Sequence, residues 1–171
     1  MKKLLNVSLI LGFMLTAFTA SAQMDKSKRT SPPDTVRGTI KNTQVEVAYS
    51  QPSVKGRTIG KDIATYGKWW RTGANEITTV EFSHDVKVEG KPLSAGKYAL
   101  YSIPGETSWV IIFSKGVKNW GTVYKEDEDV LRVTVKTQKA TEFTEKLKFM
   151  IDPSGKISFV WGDKLVAFKV K

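Results

Sequence analysis

The chain has 171 residues, a formal net charge of +10, one histidine and no cysteine. The missing cysteine excludes disulfide stapling, thiolate zinc sites and thiol nucleophiles, and a single histidine excludes a histidine-rich metal centre. Lysine and arginine are dispersed rather than gathered in a block, which fits a solvated basic surface and argues against a nucleic-acid interface.

The first residues read as a targeting segment. Lys2 and Lys3 precede an apolar run from Leu4 to Ala20, and Ala20-Ser21-Ala22 fits the small-x-small cleavage pattern of a secretory signal peptide. The run is short against the about 20 apolar residues of a membrane span. The expectation is a signal peptide over 1–22 and an exported, periplasmic or secreted chain starting at Gln23, with no transmembrane segment after cleavage. Residues 23–34 are polar and lysine-rich and end in Pro32-Pro33, the composition of a flexible leader. Residues 35–171 remain as one domain, long enough to bury a core without staples.

From Thr35 onward, short apolar runs alternate with turn residues. "QVEVAYS" places Val45, Val47 and Tyr49 on one face and Gln44, Glu46 and Ala48 on the other, the period of two of a strand. Comparable runs follow at 77–83, 86–90, 97–103, 109–114, 130–136, 142–151, 156–162 and 164–170. "WVIIF" is apolar on both faces, which predicts the middle of a sheet. Residues 142–151 fit helical and strand spacing nearly equally, and the β context decides for strand. Pro104-Gly105 suits a type II turn, Asp152-Pro153-Ser154-Gly155 a hairpin loop, and Gly162-Asp163 a two-residue hairpin. About ten short strands of this kind predict an all-β, antiparallel, jelly-roll-like β-sandwich.

One segment breaks the pattern. Residues 50–76 hold scattered glycines and one possible short helix through Ile63, Tyr66 and Trp70, and a crossing of this length in a small domain is usually functional or disordered. Its aromatic content argues against disorder, so it is expected to pack over one end or face of the sandwich. It ends in "KWWRTGANEITT", where two indoles adjoin an arginine, small residues, an amide and a carboxylate. One reading is a core corner, with Arg71 over an indole and its donors taken by Glu76 or a backbone carbonyl. The other is a recognition site: the Arg71 fork matches a carboxylate or phosphate, Gly73 lets a ligand approach the backbone, and Trp70 offers a flat wall. Asn75 and Glu76 would orient the ligand, and Lys55 and Arg57 would add charge if the crossing folds back.

Other chemistry is poorly supported. His84 sits in a turn, and Ser83-His84-Asp85 in a row is not a relay, because consecutive side chains diverge. The run Glu126-Asp127-Glu128-Asp129 lacks the spacing and glycine of a calcium loop. No phosphate-cradling glycine motif or nucleophile elbow is present, and no cofactor is implied.

Taken together, "SPPDTVRGTI", "YSQPSVKGR", "YGKWWRTGANEITTVEFS", "LSAGKYALYSIPG" and "WVIIFSK" with "NWG" resemble an exported family of Bacteroidota envelopes. That family is known as domain of unknown function number twenty-nine eleven. Trp69 stands where that pattern leads one to expect an aliphatic residue. The resemblance implies an exported β-rich domain and directs attention to Arg57, Arg71, Asn75 and Glu76, while implying no activity. The leading functional expectation is a binding module for a small anionic or sugar-like ligand, built from Lys55, Arg57, Trp70, Arg71, Gly73, Asn75 and Glu76. The alternatives are a structural or partner-binding envelope protein and a hydrolase using a carboxylate pair that includes Glu76.

Overall fold

Alternating apolar and polar residues make a strand two-faced, and here that alternation decides which face of a large sheet turns inward. The computed structural model describes residues 25–171. The signal-peptide expectation and the first two leader residues lie outside the described residues. Nine strands are described: β1 (Pro33–Ile40), β2 (Thr43–Ser50), β3 (Thr79–Phe82), β4 (Val86–Val88), β5 (Lys91–Leu93), β6 (Gly96–Ile103), β7 (Ser108–Ser114), β8 (Asp129–Asp152) and β9 (Lys156–Lys169). Seven form one antiparallel sheet in the order β1-β2-β3-β6-β7-β8-β9, curled into a half-barrel, and β4 and β5 pair as a small second sheet. The all-β antiparallel expectation holds.

The interior is filled by one face of every strand. Val45, Val47 and Tyr49 of β2 point inward as their spacing requires, joined by Val80, Phe82, Leu100, Trp109, Ile111 and Phe113. β7 lies between β6 and β8, and its other face is covered too: Ile112 packs with Ala99 and Tyr101 in a smaller outer cluster, against Val117 and Tyr124 of the loop after β7. The curl closes because the far end of β8 swings back to β1. A Cβ at Gly38 would stand 2.7 Å from Ile151 Cγ2, so only glycine admits this approach without displacing Ile151.

Four local expectations are corrected. Residues 130–136 and 142–151 are not two strands but parts of one 24-residue strand, β8, with register shifts between Lys139 and Thr144 and between Thr144 and Lys148. Gly162-Asp163 likewise is no hairpin. β9 runs through it, with Gly162 at φ +58° bending the strand opposite the irregular part of β8. Pro104-Gly105 is not a type II turn, since Gly105 lacks positive φ; a Cβ there would instead meet the Ser108 carbonyl oxygen at 2.4 Å. The possible helix at residues 63–70 does not form, because Gly60, Ala64 and Gly67 all take positive φ and convert the stretch into successive turns.

The long crossing between β2 and β3 packs over one open end of the curl. Ser53 bridges Lys146 of β8 at its start, Trp70 bridges Ser102 of β6 near its end, and Val54 and Ile59 join the core between them. Residues 25–32 lie against the same region. Gln51 donates its backbone N–H to the Pro32 carbonyl at 2.9 Å, and a short 3-10 turn covers Lys26–Lys28.

Candidate functional site

The bridge to β6 sorts the residues of the crossing between two environments. Trp70 exchanges both backbone hydrogen bonds with Ser102, at 2.7 and 2.8 Å, so it shares the inward face with Ser102 and Leu100. Its indole stacks on Trp161 at 5.1 Å and meets Trp109 edge-on at 6.0 Å. Trp69, one residue earlier, turns outward onto Tyr101 and Tyr124. Arg71 turns outward too, beside the loop that follows β7.

Arg71 donates one N–H (Nη1) to the Gly121 carbonyl at 2.7 Å. A Cβ on Gly121 would meet the Asn75 carbonyl oxygen at 2.2 Å and Arg71 Cδ at 2.8 Å, so the glycine is what lets the loop close over both residues. Arg71 Nε is buried without an acceptor. Burial pulls the guanidinium pKa below its usual value, and no opposing carboxylate among the described residues offsets it. Two indoles stand near this position with much of their surface in water, Trp69 at 39% and Trp120 at 59% exposure.

The other expected residues fall in distinct places. Asn75 donates its side-chain amide to the Ser31 carbonyl at 2.8 Å. Glu76 receives both hydrogen bonds of Arg29, at 2.8 and 3.0 Å, with Lys26 at 3.1 Å. These hydrogen bonds hold the Glu76 carboxyl down to about 2. Gly73 packs against its own loop, since a Cβ would lie 2.5 Å from Thr78 Oγ1. Lys55 and Arg57 sit at the start of the crossing, against β8 rather than the Gly121 loop. The Lys55 backbone N–H reaches Glu145 Oε1 at 2.8 Å, and Arg57 donates Nε to Val54 O and Nη2 to Ser53 O. The expected set therefore divides into an outer Arg71–Asn75–Glu76 group, an inward Trp70, a Gly73 buried in its own loop, and a Lys55–Arg57 group.

Several participants escape a reading by residue type. Tyr124 donates its hydroxyl to Asp129 Oδ2 at 2.7 Å, and Arg132 donates Nε to the same oxygen at 2.7 Å and Nη2 to the Tyr124 hydroxyl at 2.6 Å. Burial and the Asp129 carboxylate raise the Tyr124 pKa well above the phenol range. The sequence signal for this loop is "NWG", whose Gly121 adjoins Arg71. The acidic run forms no metal-holding cluster among the described residues: Glu126 and Asp129 both pair with Arg132, Asp129 also accepts from Tyr124, and Glu128 pairs with Asn119 and Lys125.

Ser83 and His84 do meet, contrary to expectation, with Oγ and Nδ1 2.8 Å apart. The turn brings the two side chains together, but Asp85 accepts from the Ala95 backbone instead, so no three-residue relay exists. Ser83 also lines an open cavity of about 500 Å³ on the outer face of β1, β2 and β3. The carboxylates there are already paired, Glu46 with Arg37 at 2.8 Å and Glu81 with Lys97 at 3.4 Å.

Comparison with known proteins adds one match. The model of the family described as "Protein of unknown function (DUF2911)" matches residues 31–170. No curated protein matches the chain, and no solved structure matches it.

Proposed function

The chain belongs to the DUF2911 family, whose function is unknown, and we propose that it serves as a binding module for a small anionic or sugar-like ligand held at Arg71. The observation that carries this reading is electrostatic. A guanidinium partly withdrawn from water normally faces a carboxylate, yet among the described residues Arg71 holds only a backbone carbonyl and leaves Nε buried without an acceptor. Glu76 does not neutralise it, being engaged by Arg29 and Lys26. A planar fork beside exposed indoles suits a carboxylate or phosphate carried on a ring that can stack. Trp69 and Trp120 supply the flat surfaces, a role sequence reasoning gave to Trp70.

Two observations weigh against the alternatives. A carboxyl held near 2 stays ionised at neutral pH, which suits Glu76 poorly to the proton-donor role of a carboxylate pair, and its pairing with Arg29 and Lys26 blunts it as a base. The structural reading needs Arg71 neutralised inside the fold, and its only protein partner among the described residues is one carbonyl.

The test is a titration of the chain with phosphate, sulfate and simple uronic acids, followed by amide NMR shifts. Wild type should show saturable shifts around Trp69, Arg71 and Gly121. Arg71→Ala should weaken the best ligand by at least about tenfold, equivalent to about 1.4 kcal/mol, and Arg71→Lys should recover only part of it. A folded Arg71→Ala variant that binds every ligand as wild type does would sink the proposal.

A further inference from the structure

We propose that a second ligand site lies where β9 bends, on the side of the long crossing, and that it takes an acidic oligosaccharide. Two cavities, of about 320 and 270 Å³, meet there at Asp163 and Lys164. Together they reach the size of ordinary ligand clefts, about 300–1,000 Å³. The site uses neither Arg71 nor the Gly121 loop and stands independently of the reading above.

Its construction is specific. The register of β8 against β9 shifts on both sides of Thr144, so the bulged part of β8 carries Phe143 out of the sheet. Phe143 is 64% exposed, an unusual position for a phenyl ring in the middle of a long strand. Its ring lies beside Gly162, whose absent side chain leaves that wall flat: a Cβ there would stand 3.7 Å from Phe143 Cε2 and 2.9 Å from Ile59 Cδ1. Tyr66 provides a second ring on the crossing, laid on the Gly60 backbone so closely that a Cβ on Gly60 would stand within 2.6 Å of three ring carbons. Both rings line the larger cavity.

The polar groups complement the rings. Arg57 lines the same cavity and is oriented by two backbone carbonyls, through Nε and Nη2, while Nη1 has no protein acceptor among the described residues. Lys164 stands where the cavities meet, and Lys139 lines the smaller one. Thr137 also lines the smaller cavity, and its hydroxyl is buried without a partner. Exposed aromatic planes match the apolar faces of sugar rings, and hydroxyl and carboxylate groups match sugar hydroxyls. The basic groups select acidic sugars over neutral ones.

The experiment is calorimetric titration of the chain with oligogalacturonate and with its methyl-esterified, uncharged counterpart. Wild type should bind the acidic form at least tenfold more tightly. Phe143→Ala and Arg57→Ala should each weaken that binding tenfold or more, with the native amide spectrum retained, in an Arg71→Ala background as well as in the wild-type one, so that uronate held at Arg71 does not carry the effect. Phe143 is largely exposed, so its removal does not threaten the core. Absence of saturable binding by wild type, or undiminished binding by both groove variants, would overturn the proposal. Equal affinity for an acidic peptide of the same length and charge would overturn the saccharide assignment.

Discussion

Arg71 and Glu76 come from one loop and meet opposite electrostatic conditions. Glu76 is clasped by Arg29 and Lys26, whereas Arg71 is desolvated with no opposing charge among the described residues. The clasp makes a pH-dependent contribution whose sign follows from its direction. Glu76 titrates at 4.5 without partners and at about 2 in the fold, so folding favours its ionised form. The contribution is complete above about pH 5, declines as pH falls from about 4.5 toward 2, and is absent below that. Glu76 keeps about a third of its side chain in water, and solvent screening reduces the pair to about 1 kcal/mol. Glu76→Gln should therefore cost about 1 kcal/mol in urea unfolding at neutral pH and nothing at pH near 2. An equal cost at both pH values would show that packing, rather than charge, holds the leader here. Residue types alone marked this loop as unusual, because arginine beside indoles in a β-rich chain needs partners. They could not show that Glu76 would turn to Arg29, a residue of the leader.

At the scale of elements, β9 shows how one glycine joins two strand patterns. Ile157, Phe159 and Trp161 point into the core from the first half, and Val166 and Phe168 from the second, with the inward parity changing between them. An uninterrupted period of two would turn one half outward. Gly162, in the left-handed region, absorbs the change and lies close to Ile59 of the crossing. Gly162→Ala should destabilise the protein by about 1–3 kcal/mol, through backbone strain and the Ile59 contact. Asp163→Ala next to it should stay within about 0.5 kcal/mol, since it removes only an exposed pairing with Lys164. Thermal melts of the two variants check the contrast. Glycine followed by aspartate between two apolar runs is a sound hairpin signal locally. It fails here because β8 is long enough to pair with both halves of β9 and draws them into one strand.

At the scale of the molecule, the sheet must curl far enough for β8 to return to β1. Gly38 sets the distance of that return, with Ile151 occupying the space a side chain would need. Gly38→Ala should cost about 1–3 kcal/mol by overpacking the seam. In an Ile151→Ala background the same substitution should cost distinctly less, since the two residues compete for one volume. Additive costs in the double variant, measured by denaturant unfolding, would place the strain elsewhere. The crossing completes the enclosure by covering one open end, where Trp70 stacks on Trp161 and meets Trp109 edge-on. Both proposed sites flank this cover, which explains why residues grouped in the sequence line two different surfaces.

The amino-acid pattern by itself determined the β class, the inward faces of most strands and the central place of β7, because strand periodicity and two-sided apolarity are properties of a few neighbouring residues. Tertiary structure alone decided that Trp70 turns in while Trp69 and Arg71 turn out, that Arg57 lines a cavity at the bend of β9 away from Arg71, and that β8 and β9 are continuous. Each of these depends on contacts between residues distant along the chain: Trp70 with Ser102, Arg71 with Gly121, Glu76 with Arg29, and β8 with both halves of β9. Local spacing carries no information about such partners, since they are brought together by the curl of the sheet.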